Sequence, residues 1–405
     1  MDYAKVVDSW MGSGKSTNVI EMIKEHPDKR YLIFVELLAE GERYKTECDN
    51  VEFFEPTDTE AWWQTKSGDF ETLIKAGKNI IATHALAERL NLSGKTLEIM
   101  KEYKYTVIID EAMEIVHAIN MDEDDIHDLF TTEHIIVDDN KNVKWIDDKY
   151  KGDRVFLRGL ARSNSLYLVE KDQGIKTDKD YLMWIMSPHI FEAADEMYIL
   201  TFNFQDSYMR YYFDMFGIKY RMMHVEDGKF VDGLEDRTSI KRNAMHLLDI
   251  VDHKINDIGS TKTALSKGWY TKNAPKRDVV YKNAYNYLKN ICKSTVQEAA
   301  YSIFKEYKNP DQLKRYENGF IAMNCRGTNR FGNKTNFAIL VNIYMHPSIR
   351  NFFMKHGCGE IDEDGFALNQ LMQLIWRSAI RNGKPVNLYL PSSRMRTLLT
   401  DYLSA

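Results

Sequence analysis

The chain opens on a short apolar stretch, Tyr3-Ala4-Lys5-Val6-Val7-Asp8, whose pattern predicts a strand. A turn rich in Gly and Ser, Ser9 to Thr17, follows it. From Asn18 to Lys24 the apolar residues Val19, Ile20, Met22 and Ile23 suit one side of a helix. Tyr31–Val35, Asn79–His84 and Tyr105–Glu111 read as further core strands. The last is a continuous apolar run that ends in two carboxylates, Asp110 and Glu111. Met197–Phe204 is another core strand, with Thr201 and Asn203 near its end. Such runs, alternating with helical stretches, predict a mostly parallel α/β sheet. Its ligand crevice lies at the C-terminal strand ends.

The pattern continues beyond residue 205. Tyr208–Phe216 predicts a helix that passes through Gly217 into a strand over 219–225. A late core strand is expected over 337–344 and a closing strand over 386–390. Between them, 366–381 reads as an amphipathic helix stopped by Gly383 and Pro385. Gln373, Arg377 and Arg381 stand at i, i+4 and i+8 and so share one predicted face. Such a stripe is poor core material and a good clamp on a phosphate chain. Residues 121–180 are less regular and read as an insert. Within them Asp122–Asp125 reads as an acidic helix start or a solvated face, and His134–Val137 with Val143–Ile146 as a hairpin. Trp62-Trp63 reads as a helix anchor, with a stacking surface as the alternative.

Composition sharpens this picture. The 405 residues include 19 Phe, 23 Tyr and 7 Trp, which excludes general disorder, and the length predicts two domains. Their expected extents are 1–205 and 206–405. The four Cys, at 48, 292, 325 and 358, form no CxxC pair, which argues against a disulfide scaffold or a Cys-based zinc site. No apolar run reaches about 18 residues and no signal-like start is present, so a soluble, cytoplasmic protein is expected. The formal net charge of −6 argues at first against a nucleic-acid partner. It hides an asymmetry: residues 1–200 hold 24 basic and 40 acidic residues, and residues 201–405 hold 30 basic and 20 acidic.

The candidate chemistry starts at Gly12-Ser13-Gly14-Lys15-Ser16-Thr17. Strand, Gly-rich turn and helix are the context a phosphate loop needs, with backbone N–H groups around the phosphates of ATP. Lys15 would reach the β/γ-phosphates and Ser16 would ligate Mg²⁺. Asp110 would hold Mg²⁺ through water, and Glu111 would orient the attacking water. The full pattern asks for Gly at position 9, where Ser9 stands. Residues 261–300 hold 8 basic and 2 acidic residues, and 321–355 hold 5 basic and no acidic ones. With interleaved aromatics these tracts read as a strand-binding surface, or as a solvated basic face over core aromatics.

These motifs resemble those of superfamily 2 helicases, in the DEAD/DEAH-like class with two RecA-like P-loop NTPase domains in tandem. Met11 to Thr17 resembles motif I, Ala82-Thr83-His84-Ala85 the strand-touching motif after it, and Asp110-Glu111-Ala112-Met113 motif II. Leu200–Asn203 is similar to motif III, Cys325–Asn329 to motif V and Gln373–Arg377 to motif VI. The resemblance implies catalytic roles for Lys15, Asp110, Glu111, Gln373, Arg377 and Arg381, with Arg377 as sensor and Arg381 as finger. It implies nucleic-acid contacts at Thr83, His84, Arg326 and Thr328, to which the basic tract of 261–300 adds Lys267 and Trp269 as candidates. Ala112 and Met113 depart from both the DEAD and DEAH boxes, Trp376 replaces a usual Gly, and Arg381 falls one residue late. The lean length resembles a bacteriophage or viral replication helicase. Its expected partner is single-stranded or forked DNA, with RNA the alternative, together with other replication proteins and no membrane. The rival readings are a terminase-like DNA-packaging ATPase, a nucleotide-switched loader and a P-loop kinase.

Overall fold

The computed structural model describes residues 2–58, 65–171, 180–308, 310–323 and 330–405. Trp62, Trp63, Arg326 and Thr328 lie outside the described residues. The chain divides into two compact units, one of residues 1–9, 14–234 and 346–361 and one of residues 10–13, 235–345 and 362–405.

The first unit is built on β1 (Ala4–Asp8), β2 (Arg30–Val35), β3 (Phe53–Phe54), β4 (Asn79–Thr83) and β5 (Tyr105–Asp110). An insert follows, with β6 (Val116–Ala118), β7 (Ile135–Val137), β8 (Val143–Trp145), β9 (Leu166–Val169) and β10 (Tyr181–Ile185). The chain then returns through β11 (Glu196–Thr201), β12 (Tyr220–Glu226) and β13 (Lys229–Asp232). The main sheet has eight strands in the order β13-β12-β1-β11-β5-β2-β4-β3. All its pairs are parallel except β12 with β13. The register sets Asp8 against Thr201 and Leu200 against Asp110, so β1, β11 and β5 end at one level. That level is the C-terminal edge, where a parallel α/β sheet places its ligands.

The apolar runs that predict these strands are buried on both faces. Val7, Ile33, Ile108 and Leu200 from the sheet meet Val19, Ile20 and Ile23 from the Lys15–Glu25 helix in one core cluster. Each such aliphatic side chain contributes about 1.5–3 kcal/mol on burial. The predicted hairpin is present as β7 with β8, and the insert adds an antiparallel sheet, β6-β10-β9.

The second unit carries β14 (Leu248–Ile250), β15 (Ala299–Ser302), β16 (Asn336–Ile339) and β17 (Val386–Tyr389). These form a wholly parallel sheet in the order β14-β17-β16-β15. Its core is rich in tyrosine: Tyr270, Tyr287, Tyr301 and Tyr389 pack with Leu340. The buried phenols find acceptors, as where Tyr270 donates to Leu340 O at 2.7 Å and Tyr389 to Ile255 O at 2.9 Å. The chain is thus an α/β protein with parallel sheets, as the alternating pattern predicts.

Three elements differ from expectation. The predicted 219–225 strand is β12, which pairs with β1, so the first sheet runs on to Asp232 rather than closing before residue 206. The late strand is shorter than 337–344, ending at Ile339. Asp362-Glu363-Asp364, which reads as an acidic loop, is a helix start. Asp362 caps the Glu363–Ile375 helix by accepting from Gly365 N at 2.8 Å, and Asp364 accepts from Arg394 Nε at 2.9 Å. Among the described residues, no helix is long and apolar enough to cross a membrane.

Candidate active site

The turn after β1 has the backbone of a phosphate loop. Gly12 and Gly14 take left-handed conformations, φ 83° and 88°, which disfavour any side chain. Gly14 precedes the Lys15–Glu25 helix without a side-chain cap, and no acidic residue sits in the first turn. Acid-free, uncapped first-turn amides suit an anion. The Ser13 hydroxyl is buried with no hydrogen-bond partner, a group that a phosphate oxygen would satisfy. Lys15 Nζ donates to Ser9 O at 2.7 Å.

Ser9 stands where the pattern asks for Gly, and its backbone is not left-handed. Its side chain is fully buried and its Oγ accepts from Val225 N at 2.7 Å. The hydroxyl thus ties the end of β1 to β12, a use that Gly could not supply. Asp8 does the same toward β11, accepting from Asn203 N at 2.7 Å and Phe204 N at 3.0 Å. Asn203 is held left-handed at φ 57° and donates through Nδ2 to Asp206 at 2.6 Å. Thr201 is buried at the end of β11. Position 203 therefore braces the strand ends.

Ser16 and Asp110 are 94 residues apart in sequence and meet in space, with Ser16 Oγ donating to Asp110 Oδ1 at 3.0 Å. That hydroxyl and carboxylate are the donor set a Mg²⁺ ion takes, hard oxygens with room for water. Tyr44 donates to the other oxygen, Oδ2, at 2.7 Å. Burial pushes the Asp110 carboxyl above its usual range, the Tyr44 hydrogen bond pulls it back, and the neighbouring Glu111 raises it again. A divalent cation there would favour the ionised form. Tyr44 was not visible as a site residue in the sequence, because it lies mid-helix in Leu38–Glu47 with no motif around it.

Glu111 follows β5 in a left-handed conformation, φ 71°, fixed by its N–H donating to Leu200 O at 3.0 Å. A non-Gly residue held there costs on the order of 1–3 kcal/mol, a strain that clusters at functional positions. Replacing Tyr44 by Phe removes a hydrogen bond that favours the ionised Asp110. Its titration then moves to higher pH, so a divalent cation held by Asp110 would be lost earlier as pH falls. If the site takes Mg²⁺, the expected effect is roughly tenfold weaker binding at mildly acid pH with little change at pH 8, measured by calorimetric titration with Mg²⁺.

In the second unit the predicted clamp is not one helical stripe. The helix ends at Ile375, where Ser378 Oγ donates to the Ile375 carbonyl at 2.7 Å and the backbone turns extended. A short 3₁₀ turn, Ala379–Asn382, then carries Arg381 to an exposed position. Gln373 donates to Asn369 Oδ1 at 2.7 Å. Arg377 is only 6% exposed and its Nε has no hydrogen-bond partner. Trp376 is buried edge-on against Trp10, ring centres 5.0 Å apart, and Trp10 stacks on Tyr402. The bulk of Trp376, where the resemblance expects a small residue, is thus taken up by packing against Trp10.

The remaining predicted contacts are mixed. Thr83 caps the His84–Ala87 helix by accepting from Leu86 N at 3.2 Å. His84 is buried and its Nδ1 lies 3.0 Å from Glu36. Lys267 is exposed and pairs with Glu306 at 2.7 Å. Trp269 is half-buried against the tyrosine-rich core, so its ring is largely core material.

Fold and site together define an α/β protein of two units, with a phosphate-loop turn between its first strand and first helix. Residues 242–403 match the YonV C-terminal Rossmann-like domain. The whole chain is 34% identical over 425 residues to the SPbeta prophage-derived uncharacterized protein YonV of Bacillus subtilis (strain 168), covering 100% of this chain and 99% of that protein. The chain belongs to the YonV family. Among solved structures it is similar to XPD in its apo form, at TM-score 0.45 and 13% identity, covering 98% of this chain and 96% of that one. S. tokodaii Xpd4 gives TM-score 0.47 at 12% identity, with 99% and 94% covered. The DUF1998 helicase MrfA bound to DNA and AMPPNP gives 0.37 at 11%, with 100% and 48% covered.

Proposed function

We propose that the protein is an ATP-dependent helicase or translocase on nucleic acid, with DNA as the favoured strand. The observation that carries this reading is the Ser16–Asp110 hydrogen bond at 3.0 Å beside a strained Glu111, at the foot of a phosphate-loop turn. Backbone amides of 12–17 and Lys15 bind the phosphates of ATP, with Lys15 exchanging the Ser9 carbonyl for phosphate oxygen. Ser16 and Asp110 hold Mg²⁺, which supplies charge neutralisation on the β- and γ-phosphates. Glu111 orients and polarises the attacking water. Arg377, buried with an unsatisfied Nε, and Arg381 with Gln373 stabilise charge on the γ-phosphoryl group. ATP hydrolysis is coupled to lobe closure, which drives movement along the strand.

The charge asymmetry supports the nucleic-acid assignment, since a basic footprint is local rather than a property of net charge. The prophage origin of the relative supports a phage setting, which we read as replication in a host cytoplasm. The terminase reading asks for clustered nuclease carboxylates on strands of the second half, whereas Asp362 and Asp364 stand at a helix start, engaged in a cap and an ion pair. The test is ATP turnover of the purified chain with and without single-stranded DNA and RNA.

A further inference from the structure

A cavity of about 520 Å³ opens in the first unit where the insert meets the segment after the His84–Ala87 helix. None of the residues assigned to ATP lines it. From the insert sheet come His117 and Trp184, directly paired across β6 and β10 and stacked with ring centres 4.8 Å apart. The Val155–Arg162 helix contributes Val155 and Phe156, which are 53% and 61% exposed. Adjacent apolar side chains this open to water, at the mouth of a cavity, form the kind of patch that marks an interaction site. Glu88, Arg89 and Asn91 supply polar groups from the remaining side.

The chemistry matches an aromatic heterocycle attached to an anion. The His117 ring, backed by the buried Trp184, and an exposed phenyl offer flat apolar surface, Arg89 offers charge to a phosphate, and Asn91 offers both a donor and an acceptor. Burial, together with the carboxylates of Glu114 and Glu36, pushes the Glu88 carboxyl up to about 7. Near neutral pH a sizeable protonated fraction therefore presents an O–H donor beside a C=O acceptor, the complement of a base edge. The volume falls in the range that holds one small organic group with its polar contacts.

We propose that this cavity receives an unpaired base, with its sugar, from the strand on which the protein acts. The proposal rests on the nucleic-acid reading above and adds a base-holding site outside the ATP-binding residues. Such a site would grip one base by stacking and give the insert a direct part in strand binding.

Gly159 provides a clean probe, because a Cβ built there meets nothing within 4 Å. Gly159→Trp fills the cavity, and Phe156→Ala removes an exposed ring without emptying the core. The full chain and both variants are titrated with a labelled single strand and with a matched strand carrying abasic residues. Fluorescent-ATP binding and thermal midpoints serve as controls. Wild type is expected to favour the intact strand by about tenfold, and both variants to lose most of that preference while binding ATP normally. A preference unchanged in both variants overturns the proposal. So does equal binding of intact and abasic strands by wild type, which leaves the motor reading standing. Binding of a free nucleoside as tight as that of the strand also overturns it, by marking a small-molecule site. Failure of wild type to bind any strand overturns both readings.

Discussion

Glu111→Gln is expected to lower ATP turnover by about two to three orders of magnitude while leaving ATP binding nearly unchanged. Gln has the same shape and keeps the backbone N–H bond to Leu200 O, so the left-handed turn at the end of β5 survives. It loses the negative charge that polarises water. The effect therefore falls on turnover alone, which single-turnover hydrolysis and equilibrium binding of labelled ATP separate. Equal loss of binding and turnover would instead mark Glu111 as a structural residue. Full activity would remove it from the mechanism.

Lys15→Ala is expected to weaken ATP binding by on the order of 10²–10³-fold and to abolish measurable hydrolysis. The ammonium is the positive charge that the loop itself contributes to the phosphates. In the structure it makes a hydrogen bond to Ser9 O at 2.7 Å, whose loss costs about 1 kcal/mol of stability and does not threaten the fold. Lys15→Arg is not a rescue, because a planar fork does not fit a site built for a compact ammonium. Calorimetric titration with ATP and Mg²⁺ checks both variants. Wild-type affinity in Lys15→Ala would place the nucleotide elsewhere.

Much of this site was legible because its parts are local. The strand, Gly-rich turn and helix are contiguous, and the left-handed Gly12 and Gly14 are what such a turn needs. The Asp110-Glu111 pair was legible because it ends an uninterrupted apolar run, and the level strand ends then bring Asp110 to Ser16. What was not legible depends on partners distant in sequence. Tyr44 reaches Asp110 from a helix with no motif, and Ser9 finds its partner at Val225, 216 residues away. The strand at 219–225 was visible, but its neighbour was not, since local pattern does not name the strand it pairs with. The single helical stripe was misread for a different reason. Helical period was extended past Ile375, where Ser378 bonds back to the chain and Trp376 turns in to meet Trp10.

The insert was legible only as an irregularity. Its hairpin could be read, whereas the antiparallel β6-β10-β9 sheet pairs short segments, with β6 far from its partner β10 in sequence, that carry no shared signal. The cavity beside it was correspondingly invisible. His117 and Trp184 become neighbours only through strand register.

The central claim is that hydrolysis of ATP by this chain is coupled to a nucleic-acid strand. The most direct test is steady-state ATP turnover with increasing single-stranded DNA, with RNA of the same sequence alongside. The account predicts low turnover for the free protein, a strong saturable rise with DNA, and no rise in Glu111→Gln. Turnover that is indifferent to both DNA and RNA would contradict it.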